Sequence, residues 1–140
     1  MSWVDLQKYC VEAVKRDGEA FFQVVRGKWL KHGIAFHPIE ADLIDEQKNE
    51  RLSNGNEVRM GIEVDQYQRP VAYWVRQSHP GDYDFNSLSL KASVRISAND
   101  IIHVYKSLRA GQTRGEIALA PALSQVKMLN AHREAELVAT

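Results

Sequence analysis

Most of the features that announce a chemistry are missing from this sequence. It has one cysteine, Cys10, so neither an intrachain disulfide nor a cysteine cage for a metal can form, which suits a reducing compartment. Its 18 basic residues cancel its 18 acidic ones, leaving no overall field to hold the chain on nucleic acid or an anionic membrane; a local patch stays open. No apolar run is long enough to span a bilayer, and the opening MSWVDLQKYC has neither the basic lead nor the apolar stretch of a secretory signal. The five histidines, His32, His37, His79, His103 and His132, never fall at the spacing that puts two ligands on one helical face. There is no Gly-x-Ser-x-Gly elbow to strain a serine into a nucleophile, no internal repeat and no low-complexity tract.

What is present is the material of one ordinary domain: 140 residues, 44% of them apolar. Trp3, Leu6, Tyr9, Cys10 and Ala13 recur at helical spacing behind Ser2 and Asp5, which are disposed as a capping box, and Gly18 follows as a left-handed stop; a helix is expected over 2–17. Strands are expected at Ala20–Arg26 and Ile34–Glu40, with an exposed loop over Asp42–Asn56. Strict alternation then sets Val58, Met60, Ile62 and Val64 against Glu57, Arg59, Glu63 and Asp65, the pattern of one half-buried strand. DQYQR joins it to a partner, Pro70–Gln77, opened by a proline that can stand at a strand's first residue. A further strand is expected from Ser89 to Ile96, and ANDIIHVYKS reads as either a strand or a short turn. A helix is expected over 116–139, with Leu119, Ala122, Leu123, Val126 and Leu129 on one stripe and Pro121 near its first turn; no terminator appears before Thr140, so the helix ends uncapped. The fold class is therefore α+β: an N-terminal helix, a β-rich middle over 20–105 built on antiparallel hairpins, and a C-terminal helix, in one domain over 1–140.

Several groupings invite a chemical reading, and each has a plainer one. SLRAGQTRGEIALAP sets Gly111 and Gly115 before a helix, but only three residues separate the glycines and Glu116 stands where a phosphate loop needs lysine. The favoured reading is a glycine-rich lead into a helix, with Arg109 and Arg114 solvated or paired. His79 with Asp82 and Asp84, or His37 with Glu40, could supply hard metal ligands, yet HPGDYD is also the composition of a surface turn. Cys10 lies on the apolar stripe and is expected in the core. Trp29, Trp74 and Tyr73 could stack on bases only in a fold that exposes them among basic residues. No catalytic residue, metal site or cofactor is expected.

Taken in order, RMGIEVDQYQRPVAYWV (59–75), HPGD (79–82) and RISANDIIHVYKSLRAGQTRGEIALAPAL (95–123) resemble the lambda-type family of tailed-phage portal proteins. Asp65, Arg69, Pro70, Val71, Ala72 and Tyr73 match its Asp-containing hairpin with Arg-Pro-Val-Ala-Tyr. Asp100, Ile101, Ile102 and His103 match its Asp-Ile-Ile-His strand; Arg109, Gly111, Gln112, Arg114 and Gly115 match its Arg-x-Gly-Gln-x-Arg-Gly lead into a helix. RDGEAFFQVV, IEADLID and AELVA extend the likeness to nearly the whole chain. Two departures stand out. Gln68 replaces the glycine expected in the hairpin turn, and family members are several times longer, with a wing-forming region upstream and helical and crown regions downstream.

The resemblance implies an internal piece of a portal protein, or a truncated prophage copy. It further implies a homo-oligomeric ring, a dodecamer in that family, at one capsid vertex. Double-stranded DNA enters through the ring in packaging and leaves in ejection, and terminase and later head-completion and tail proteins dock on it. The setting it implies is the virion, or the bacterial cytoplasm during assembly, with no membrane. A ring needs a heterologous interface, and the hairpin and terminal helix are the candidate surfaces. The competing expectation is a stand-alone α+β protein-binding module of prophage origin, recognising a partner through the hairpin edge. A metal-dependent hydrolase on His79, Asp82 and Asp84 stands third.

Overall fold

The computed structural model describes residues 1–79 and 93–139. Helix α1 covers Trp3–Asp17. The Ser2 side chain accepts from the Asp5 N–H while Asp5 reaches back to the Ser2 N–H, and Gly18 closes the helix at φ 86°. The capping box and the left-handed stop thus stand where the sequence places them, satisfying backbone groups that a helix end leaves orphaned.

Among the described residues the strands form two antiparallel sheets. The first has three, β1 (Glu19–Arg26), β2 (Ile34–Ile39) and β8 (Ile101–Tyr105), in the order β2-β1-β8. The second is β3 (Glu50–Arg51), β4 (Glu57–Arg59), β5 (Ile62–Val64), β6 (Pro70–Val75) and β7 (Val94–Ser97), in sequence order. Strand alternation sends β1 side chains both ways. Phe21 enters the core between the sheets with Ile39, Ile44, Ile62, Val64, Tyr73 and Ile101, while Ala20 and Phe22 face α1 and pack with Ala13. Burying a side chain such as Phe21 stabilises by about 2–3 kcal/mol, so β1 is the strand on which both halves of the core depend.

The structure corrects four sequence expectations. Residues 57–65 are not one strand: Met60 (φ 49°) and Gly61 (φ 81°) form a two-residue turn, and β4 pairs with β5 with Arg59 opposite Ile62 and Val58 opposite Glu63. Paired residues share a face, so Val58 lies opposite to Ile62 and Val64, Met60 is 43% exposed and Glu63 is fully buried. The stretch from Asp42 to Asn56 is not merely an exposed loop. A 3-10 turn at Ala41–Leu43 delivers Ile44 into the core opposite Val75, and β3 lies within it. Cys10 is half-buried rather than fully in the core.

Finally, helix α2 is Ala120–Ala139, not 116–139. A helix begun at 116 would carry Pro121 in its interior, where the ring removes a hydrogen bond and collides with the preceding turn; starting at Ala120 leaves it in the first turn. The open choice over ANDIIHVYKS resolves as both, a 3-10 turn at Ala98–Asp100 and then β8. Of the strand expected at Ser89–Ile96, Val94–Ile96 are in β7, while Ser93 precedes it. The beginning of that expected strand, and the HPGD turn beyond His79 with Asp82 and Asp84, lie outside the described residues.

Candidate functional site

Among the described residues, Glu19, His103, Tyr73 and Arg114 meet at one buried place. Glu19 is the first residue of β1, on the face shared with Phe21, His103 and Tyr105, because β1 pairs with β8 with Glu19 opposite Tyr105 and Phe21 opposite His103. The His103 ring stacks on Phe21 at 4.1 Å and on Tyr105 at 4.3 Å, and meets Tyr73 of the other sheet edge-on. His103 Nε2 lies 3.0 Å from Glu19 Oε2, and the Tyr73 hydroxyl lies 3.4 Å from His103 Nδ1.

The segment after β8 closes over this cluster. Arg114 Nε donates to Glu19 Oε1 at 2.7 Å, and the Gly115 N–H donates to Glu19 Oε2 at 2.9 Å. Arg114 also donates to the Met60 and Ala41 carbonyls, so one side chain ties together β1, the β4–β5 turn and the 3-10 turn. Gln112 braces the approach: its side chain accepts from the Leu108 N–H and donates to the Arg114 carbonyl, while its own carbonyl accepts from the Tyr105 hydroxyl.

Burial sets the charge states. It pushes the Glu19 carboxyl up, but the hydrogen bonds from His103 and Arg114, the Arg114 charge and the Gly115 N–H outweigh it and hold the group below the usual carboxylate range. Burial lowers His103 below the ordinary imidazole value against the pull of Glu19, with the Arg114 charge adding to the lowering. Burial pushes Tyr73 up to about 12. Near neutral pH the site is therefore an ionised Glu19–Arg114 pair beside a neutral imidazole. The tautomer that serves both neighbours donates from Nε2 to Glu19 and accepts from Tyr73 at Nδ1.

A Glu–His–Tyr line is also a proton-relay arrangement. Here the Glu19 and His103 side chains are each only 4% exposed, so the cluster offers a substrate no approach and works as a latch between segments. Its glycines have the same purpose. A Cβ on Gly115 would fall 2.2 Å from the Gly18 carbonyl oxygen, and one on Gly18 would fall 2.5 Å from the Glu116 carbonyl carbon. The φ of Gly115 is not left-handed; the absence of a side chain is needed for contact, not for the turn.

The other residues singled out from sequence lie elsewhere. Asp65 organises the β5–β6 hairpin: its carboxylate accepts from the Tyr67 and Arg69 N–H groups and from Arg69 Nε, and the Arg69 guanidinium lies over Tyr67. Pro70 opens β6 at the exposed end of that turn, and Gln68 takes the left-handed conformation at φ 62° where glycine was expected. Gly111 (φ 75°) lies against the Gln68 amide, which joins this hairpin to the lead into α2. Asp100 pairs with Arg26 at the far end of β1, and exposed Arg109 faces Glu116 at 3.8 Å.

Two residues central to the arrangement escaped the sequence reading. Glu19 fell one position before the expected strand, although a carboxylate between a helix stop and an apolar strand is a usable signal. The alternation over 57–65 puts Glu63 on the solvent face, yet it is fully buried, gripped by Arg95 through two hydrogen bonds (2.7 and 3.1 Å) and by Asn56. Among the described residues no group of three or more His, Cys, Asp or Glu side chains is placed to hold a metal, and no helix is long and apolar enough to cross a membrane.

The profile of the family described as phage portal protein, lambda family, matches residues 1–140. The chain belongs to that family. A probable portal protein of Halomonas phage phiHAP-1 is 34% identical over 138 residues, covering 99% of this chain and 26% of the relative. The chain thus spans about a quarter of the length of that portal protein, and the Glu19 latch lies within the shared quarter.

Proposed function

We propose that this chain is the part of a portal subunit that helps build the ring-shaped conduit at one capsid vertex, through which double-stranded DNA is packaged and ejected and to which the tail is joined. The observation that carries the reading is the family match over residues 1–140. The role is structural rather than catalytic. Its partners are further copies in a dodecameric ring, the DNA in the channel, and terminase and head-completion proteins on its faces; its place is the virion vertex, reached from the bacterial cytoplasm during assembly.

Within such a ring the Glu19 latch fixes how the chain leaves the β-sheets and enters α2. The matched positions divide accordingly. Tyr73, His103, Gln112, Arg114 and Gly115 hold the lead into α2, whereas Asp65, Arg69, Pro70 and Gly111 shape the hairpin beside it. A near-zero net charge suits a conduit, because DNA carries about one charge per 1.7 Å and a densely cationic wall would resist sliding.

The test is electron microscopy of the full-length protein, with complementation of a phage lacking its portal gene. Closed rings and restored packaging are the expected result. A monodisperse monomer that fails to restore packaging would overturn the reading in favour of a stand-alone binding module.

A further inference from the structure

We infer that the tip of the β1–β2 hairpin is a contact for the phosphodiester backbone of duplex DNA. The inference deepens the conduit reading by giving that DNA a place on this chain. From Ala20 to Ile39 the sequence has no acidic residue, and the tip GKWLKHG gathers Lys28, Trp29, Lys31 and His32, all exposed. Arg26, just below, is occupied by Asp100. No carboxylate among the described residues pairs with Lys28 or Lys31, so their charge faces outward uncompensated.

The tip is also built to hold its shape. The Gly27 N–H donates to the Gly33 carbonyl at 3.1 Å, Leu30 donates to Gly27 at 3.1 Å, and Gly33 donates back to Leu30 at 3.0 Å. A Cβ on Gly27 would fall 2.4 Å from Trp29 Nε1, so the indole lies directly on the Gly27 backbone. Trp29 is nonetheless 78% exposed. A large apolar ring held against the Gly27 backbone and exposed between two free lysines presents cations beside an apolar surface, the two chemistries that a sugar-phosphate strand offers in turn. Charge complementarity selects the partner: a polyanion is the surface against which this otherwise neutral chain presents a local excess of cations. Two lysines per copy grip weakly, as sliding DNA requires, and a ring multiplies the contact.

The experiment measures binding of a short fluorescein-labelled duplex to the chain by anisotropy across a potassium chloride series. Lys28→Gln/Lys31→Gln should cost about tenfold or more in affinity at low salt and flatten the slope of log K against log salt by about 1.8, the value for two phosphate contacts. The same charge change on α1, Lys8→Gln/Lys15→Gln, should leave both nearly as they were, and Trp29→Leu should weaken binding and remove the DNA-dependent quenching of tryptophan emission. Equal losses from the two lysine pairs, or no loss from the tip pair, would overturn the inference. So would tighter binding to a single strand of equal length that depends on Trp29 alone, since that is base stacking. Microscopy separates the two readings: rings formed by the full-length protein with the tip substitutions show that any lost DNA affinity is the tip's, while absence of rings in the unsubstituted protein counts against the conduit and leaves the tip measurement standing.

Discussion

At the scale of the residue, the latch turns on Glu19, His103 and two glycines. Both titrating groups have folded-state values below their unfolded ones, so both favour the unfolded chain as pH falls, in different windows. His103 takes up its proton more readily once unfolded, so stability should fall as pH drops below about 6.5; Glu19 adds its own loss below about 4.5. Melting followed by circular dichroism between pH 7.5 and pH 5 should therefore show a falling midpoint that is much flatter in His103→Gln. An equal fall in both chains would place the sensitivity elsewhere. For Gly115, crowding sets the size of the effect. An added methyl would strike backbone at Gly18, where nothing can rotate away, so Gly115→Ala should cost about 1–3 kcal/mol in urea unfolding. A loss below about 0.5 kcal/mol would show that the two segments can separate freely.

At the scale of the element, the β4–β5 hairpin shows what periodicity can and cannot reveal. A two-residue turn with both φ values positive favours Asn-Gly, and this chain uses Met60-Gly61. Met60 contributes mainly its backbone, its N–H donating to Asn49 and its carbonyl accepting from Arg114, so Met60→Asn keeps those bonds and relieves the left-handed strain. It should raise stability by about 1 kcal/mol, read from the same urea curves; a decrease would mean that the Met60 side chain matters to the packing. The same turn explains the misreading of residues 57–65. With apolar residues at 58, 60, 62 and 64 the alternation passes unbroken through the turn, and methionine hides the usual turn signal. Ile44 is obscured differently, because the adjacent pair Leu43-Ile44 in a polar stretch sets up no period and is placed by long-range bonds, Asp45 N–H to the Trp74 carbonyl and Arg76 N–H to the Leu43 carbonyl. Local grammar was legible, as with the Ser2 box, the Gly18 stop and the Asp65 turn. The latch was half legible: its family-matched members could be named, but that they converge on Glu19 depends on strand pairing across residues 19 and 105, which no window of sequence contains.

At the scale of the molecule, the sheets and α2 stand in contrast. The sheets carry the core, whereas Leu119, Leu123, Val126 and Leu129, the stripe expected to face a partner, are each more than half exposed. An isolated helix of 20 residues is marginal in water and draws most of its stability from packing of an apolar face. The latch can fix where α2 begins, through Arg114 and Gly115, but it stops five residues short of the helix and cannot support its length. Support must come from a surface laid along that stripe, either another copy of the chain or a further part of a longer protein. In dilute solution the chain should therefore self-associate, with helical content rising with concentration, while Leu123→Glu/Val126→Glu should abolish association and leave the melt of the β-sheets unchanged. Sedimentation velocity with circular dichroism across a concentration series checks both. A monomer with constant helicity would show that α2 is self-supporting, and the exposed stripe would then lose its standing as an interface.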